Sequence, residues 1–146
     1  MNSKFGYIHT IERYDSANDA WSFGAGGNSS AFMTSKRYGA AAASYQSGIY
    51  AFGGVNSEGY LKSVERYNTS TSKWTFVTNM SSTRFAATAT VLGDYIYVIG
   101  GMTSTNGAKC PCPYLGTVER YNPVKNQWST VATMSVARFA GTAMVG

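Results

Sequence analysis

His9, Cys110 and Cys112 are the side chains of this 146-residue sequence best suited to metal or nucleophilic chemistry. None has the company such chemistry needs. A metal site takes about four ligands, and His9, the single imidazole, lies far in sequence from Cys110-Pro111-Cys112-Pro113. No Asp or Glu stands at a recognisable partnered spacing from His9, so it reads as a surface strand residue rather than a general base. The cysteines read as loop thiols; the alternative is a redox-sensitive pair or a link between chains. Serine is abundant, but no nucleophile-elbow pattern surrounds one. The glycine-rich stretch Gly24-Ala25-Gly26-Gly27-Asn28-Ser29-Ser30 lacks the Lys-Ser/Thr of a phosphate cradle and reads as a loop. The sequence therefore predicts no catalytic residue, no metal and no cofactor.

The charged residues are more informative. The formal net charge is +5 and the pI about 9.3, which invites a nucleic-acid reading. Position argues against it. Glu12-Arg13-Tyr14, Glu65-Arg66-Tyr67 and Glu119-Arg120-Tyr121 recur at intervals of 53 and 54 residues, as do Trp21, Trp74 and Trp128. Met33, Met80 and Met134 are each followed four residues later by Arg37, Arg84 or Arg138. Six of the twelve Lys and Arg, and three of the seven acids, are thus locked to a repeat. Such residues read as scaffold: inter-strand pairs, or guanidinium groups bonded to buried carbonyls. A phosphate-binding face is the alternative. No nucleic-acid partner is expected.

The elements that must hold these residues are strands. Short runs of Val, Ile, Tyr, Phe and Trp are separated by turn residues, with little helical periodicity. Gly93-Asp94 between two apolar runs predicts a two-residue hairpin. The doublets Gly53-Gly54 and Gly100-Gly101 end the second strand of each unit, where a chain without Cβ atoms can turn sharply or approach another backbone. One complete unit reads as strands Gly39–Tyr45, Gly48–Phe52, Ser63–Asn68 and Lys73–Val77. A second runs from Arg84 to Val131, its loop after the doublet enlarged by 7 residues that include both cysteines. Ile8–Tyr14 and Ala20–Phe23 match only the third and fourth strands, and the segment after Arg138 only the first, which makes eleven strands.

This ordered set resembles the kelch repeat: a glycine doublet, a Tyr closing the third strand, a spaced Trp, and a Met-to-Arg segment leading into the next unit. The repeat length agrees with the roughly 50 residues of kelch units. The resemblance covers nearly the whole chain and implies an all-β fold, a segment of a kelch-type β-propeller with four-stranded blades. The expected units are a partial blade with a Gly/Ser-rich insertion (1–36), complete blades at 37–83 and 84–137, and the first strand of a further blade at 138–146. The partner-recruiting BTB domain of the kelch-like class is not seen. First strands rich in Ala, Gly and Thr suit the crowded axis of a propeller.

About three blades cannot close on themselves, and open sheet edges invite association. One expectation is a homodimer, with the segment after Arg138 joining the strands before Trp21 of a second copy into a ring of about six blades. The other is a fragment of a longer propeller. No apolar run reaches the roughly 18 residues of a membrane span. No secretory signal pattern opens the sequence, so a cytoplasmic protein without membrane association is expected.

Resemblance to kelch adaptors implies ligand contacts from one rim. They come from the residue after each blade-entry Arg (Tyr38, Phe85, Phe139) and from the loop after each doublet (Val55, Asn56 and Tyr60; Met102 and Tyr114). Aromatics on a rigid rim make interface anchors; the alternative is that Tyr38, Phe85 and Phe139 only plug the channel mouth. The expected function is non-enzymatic protein or peptide binding. The competing readings are a small sugar-active propeller using acids such as Glu58, and a truncated fragment.

Overall fold

A computed structural model of the chain describes residues 9–23, 32–104 and 113–144. The loop-thiol expectation for Cys110 and Cys112 and the insertion expected at 24–30 lie outside the described residues. Among the described residues there are strands and turns but no helix.

Two four-stranded antiparallel sheets form the body. The first orders β3 (Ala41–Tyr45), β4 (Gly48–Phe52), β7 (Val64–Asn68) and β8 (Lys73–Val77) side by side. The second orders β9 (Thr88–Leu92), β10 (Tyr95–Ile99), β11 (Val118–Asn122) and β12 (Gln127–Val131) in the same way. β1 (Glu12–Asp15) and β2 (Ala20–Phe23) pair as a separate hairpin. The register repeats between units: Tyr67 faces Trp74 as Tyr121 faces Trp128 and Tyr14 faces Trp21. Each of these pairs is joined by a short turn, which antiparallel pairing permits.

The alternation of side chains across a strand decides what is buried. In β10, Ile96 and Val98 are fully buried, whereas Tyr95 and Tyr97 are partly exposed. With Ala41, Tyr50, Phe52, Val64, Met80 and Tyr121 they make one apolar cluster between the two sheets. The first strands β3 and β9 lie against each other. Their small residues, Ala41, Ala43 and Ala89, with Ala87 just before β9, let the sheets approach there, while Tyr50, Phe52 and Trp128 fill the wider space further out.

The glycine doublets are required by backbone contact. Gly53 and Gly54 have φ of 61° and 95°, and Gly100 and Gly101 62° and 96°. Gly54 N donates to Arg84 O at 2.7 Å, and Gly101 N to Arg138 O at 2.9 Å. A Cβ on Gly53 or Gly100 would overlap those same carbonyls, so only glycine lets one blade's loop lie on the next blade's entry.

Beyond one- or two-residue shifts at the starts of β3 and β7, the strand pattern departs from expectation at three places. A small hairpin, β5 (Val55–Asn56) with β6 (Gly59–Tyr60), occupies the loop after the first doublet. The Ile8–Tyr14 strand starts only at Glu12. No strand forms among the described residues after Arg138: a strand needs a ladder partner, and here Ala140 N reaches only Ala86 O, at 2.8 Å.

Candidate functional site

Two repeat-locked Arg–Glu pairs hold the blade entries. Arg84 Nη2 lies 2.9 Å from Glu119 Oε1, with Arg84 1% and Glu119 2% exposed. Arg84 Nη1 also donates to Gly100 O (2.7 Å) and Thr117 O (3.0 Å), and Ser81 N donates to Glu119 Oε2 at 2.8 Å. In the preceding blade Arg37 Nη2 is 2.6 Å from Glu65 Oε1, Arg37 Nη1 donates to Gly53 O, and Glu65 also accepts from the backbone of Thr34 and Ser35. A buried ion pair persists only when its remaining donors and acceptors are met, and here the backbone meets most of them. Arg37 and Arg84 are thereby engaged in the scaffold, as the repeat spacing predicts.

The aromatics that follow Arg37 and Arg84 are held by backbone bridges. Tyr38 exchanges backbone hydrogen bonds with Val55 (3.0 and 2.9 Å), and Phe85 with Met102 (both 2.8 Å). Met102 in turn bridges to Tyr114. The rings then meet: Tyr38 and Phe85 centroids are 5.5 Å apart, Tyr60 stands edge-on to Phe85 at 5.9 Å, and Tyr114 stacks on Phe139 at 4.8 Å. Ring pairs in such offset and edge-to-face arrangements attract one another beyond their burial. All eight rim residues expected from the sequence lie at the doublet end of the strands. Tyr38 is 64% exposed, Tyr114 53% and Phe139 43%, while Phe85, Tyr60, Val55, Asn56 and Met102 are half-buried. The Asn56 side chain is already engaged, accepting from Glu58 N at 2.9 Å within the β5–β6 turn. A hydroxyl pair beside this rim, Thr83 Oγ1 to Thr103 Oγ1 at 2.7 Å, escaped sequence reasoning because neither residue is repeat-locked.

At the other end of the strands a cleft of about 410 Å³ opens between the two sheets, lined by Gln46, Tyr50, Arg66, Tyr121 and Asn126 among others. Sequence reasoning missed it, since no signal links Arg66 of one repeat to Tyr121 of the next. Burial raises the Tyr50 phenol, and burial followed by the neighbouring Tyr50 pushes Tyr121 up to about 12. Both phenols are therefore protonated near neutral pH and donate rather than abstract. Tyr121 Oη donates to Asn126 Oδ1 at 2.6 Å.

His9 packs its ring edge-on to Phe32 at 4.7 Å. Among the described residues no group of three His, Cys, Asp or Glu could hold a metal ion, and no helix is long and apolar enough to cross a membrane.

Comparison with known proteins agrees with this geometry. The chain is 32% identical over 126 residues to human Kelch-like protein 23 (Homo sapiens), covering 86% of this chain and 21% of the relative. It is 32% identical over 131 residues to Kelch-like protein 36 of Bos taurus, covering 88% and 20%. Against Beta-scruin of Limulus polyphemus it is 33% identical over 102 residues, covering 69% and 11%. It thus spans about a fifth or less of these relatives' lengths. The solved structure of YjhT superposes with a TM-score of 0.65 at 19% identity, over 78% of this chain and 33% of that one, a likeness of fold alone. The family model of the Attractin/LZTR1 beta-propeller matches residues 1–145. This chain belongs to that kelch-type β-propeller family.

Proposed function

We propose that the chain is a non-enzymatic interaction module that binds a protein or peptide through its aromatic rim. The observation that carries this reading is the pairing of Tyr114 on Phe139 and of Tyr38 and Tyr60 around Phe85, partly exposed on one edge, with Tyr38, Tyr60, Phe85 and Tyr114 held by backbone pairing. Rigid aromatics bury large area at little entropic cost, which suits them as anchors. The kelch-like relatives support an interaction role at the level of the family. The Tyr50 and Tyr121 phenols, raised by burial, donate protons rather than abstract them near neutral pH. The same reading includes a second copy: two four-stranded sheets and a hairpin per chain make, in two copies, a ring of about six blades, within the usual four to eight.

The test is affinity capture with the wild-type chain and with Tyr114→Ala and Tyr60→Ala, each first shown to keep its sheet circular dichroism. A captured protein lost from both variants supports the rim. Capture unchanged in both, or turnover of a carbohydrate panel lost on Glu58→Gln, overturns it.

A further inference from the structure

We infer that the cleft between the two four-stranded sheets is a second binding site, for an organic acid whose carboxylate is held by Arg66. It opens at the end of the strands opposite the aromatic rim and is independent of it.

One register position is filled differently in the two sheets. Arg66 stands opposite Thr75 as Arg120 stands opposite Ser129. In the second sheet the arginine is engaged on two sides: Arg120 Cζ lies 4.3 Å from the Tyr95 ring centroid, and Arg120 Nε donates to Ser129 Oγ at 3.0 Å. In the first sheet Gly48 takes the place of Tyr95 at the start of the second strand. A Cβ there would come within 2.7 Å of Arg66 Nε, so the guanidinium uses the space that a side chain at position 48 would need. Arg66 lines the cleft, with its Cζ 5.9 Å from the Tyr50 ring centroid. Among the described residues it forms no ion pair and has no counterpart of the Ser129 bond.

The groups around Arg66 are donors. Asn126 Oδ1 is taken by Tyr121 Oη at 2.6 Å and by Thr78 N at 3.0 Å, which leaves the amide N–H groups of Asn126 as its free end. Burial raises the Tyr50 phenol, and the charge and hydrogen bonding of Arg66 offset only part of that rise, so Tyr50 keeps its O–H proton beside the cation. Among the described residues that line the cleft, Arg66 is the one charged side chain, and none is Asp or Glu. A half-buried guanidinium among neutral donors attracts an anion and forms its strongest hydrogen bonds with one. A single cation selects a monoanion: a dianionic phosphate would leave a net charge in a half-buried site. Val77, Pro123 and Val124 add an apolar wall, and about 410 Å³ is more than a bare carboxylate fills. The occupant is therefore a carboxylate attached to an apolar group.

The site is built before any ligand arrives. Its residues belong to the two complete sheets and the turns between their strands: Tyr50 is in β4, Arg66 in β7, Tyr121 in β11, and Asn126 in the β11–β12 turn. The sheets are tied together beside it, where Trp128 Nε1 donates to Thr78 O at 2.7 Å and Thr78 Oγ1 donates to Asn126 O at 2.9 Å. Tyr50 and Tyr121 are 3% and 1% exposed and meet edge to face at 5.9 Å. Groups held in this way lose little freedom when a ligand binds.

The experiment titrates the 146-residue chain with phenylacetate and follows amide shifts by two-dimensional NMR, with phenylacetamide and phenyl phosphate as comparisons. Expected are a Kd of about 1 mM for phenylacetate, shifts at the Gln46 and Asn126 side-chain amides, and binding of the neutral amide weaker by about tenfold or more. Arg66→Gln should weaken phenylacetate by about tenfold or more, and Tyr50→Phe by about fivefold. If Arg66→Gln loses its sheet circular dichroism, Tyr50→Phe reads the same site. Acetyl-Gly-Gly-Phe separates two sources of the same chemistry: tighter binding than phenylacetate assigns a peptide C-terminus, and weaker binding a free acid. Absence of shifts at these two side chains, equal binding of phenylacetamide, or unchanged affinity in the folded variants overturns the site. Tighter binding of phenyl phosphate overturns the choice of a carboxylate.

Discussion

Replacing Glu119 by Ala tests how the blades are held. The substitution removes the carboxylate facing Arg84 and leaves a guanidinium that is 1% exposed without its counter-charge. Breaking a buried pair in this way costs about 3–5 kcal/mol, because one charge is left in a poorly solvated site. Ser81 N loses its acceptor as well, although water entering the vacated space offsets part of that. Folded domains have only about 5–15 kcal/mol in total, so the loss is a large fraction. With a urea m-value of about 2 kcal/mol/M, the unfolding midpoint falls by about 2 M. Tryptophan fluorescence in urea reads it, since Trp128 packs on Phe52 between the sheets. The double variant Arg84→Met/Glu119→Leu removes both charges but leaves Gly100 O and Thr117 O without the guanidinium. It should cost less than the sum of the single changes by about 1.5 kcal/mol or more. A Glu119→Ala loss below about 1 kcal/mol, or strict additivity in the double variant, refutes the view that this pair acts as a unit.

Two further outcomes come from the repeat. Tyr14 and Tyr121 donate to Asp19 and Asn126, but the buried Tyr67 hydroxyl has no partner among the described residues, because Ser72 stands at that position with φ of 55°. Asn tolerates left-handed backbone better than Ser, and its longer side chain reaches the phenol; Ser72→Asn should stabilise by about 1 kcal/mol in urea unfolding, and a loss of stability would show that Tyr67 is already satisfied. Tyr121, pushed up to about 12 by burial, favours the neutral phenol in the folded state. Its contribution is whole below the unfolded value near 10 and declines as pH rises from there toward about 12. Alkaline unfolding should therefore be shallower in Tyr121→Phe than in wild type, and identical profiles would contradict the assignment.

Much of this molecule is legible in one dimension because it repeats. Fixed spacing of Glu, Tyr, Trp, Met and Arg announces four-stranded units, since each unit solves the same packing problem with the same residues. The rim positions came from the resemblance to kelch adaptors, which points to the residues after the entry Arg and after the glycine doublet. Chain order could not supply any contact between repeats. The Arg66–Tyr121 cleft joins residues of different blades, and no local period encodes it. The fate of the segment after Arg138 was equally out of reach. Its composition matches a first strand, but strand formation depends on a hydrogen-bonding neighbour, and Ala140 has one bond to Ala86.

Sequence alone marked an all-β repeat and the charges that recur in it, because local periodicity and turn chemistry are written in neighbouring residues, and the resemblance to the kelch repeat implied its four-stranded blades. Only the tertiary structure decided which of three equivalent arginines are buried. Arg37 and Arg84 lie beside a glutamate that the same chain folds into reach, whereas Arg138 remains exposed; burying a charge is favourable only where its counter-charge and its hydrogen-bond partners converge in space.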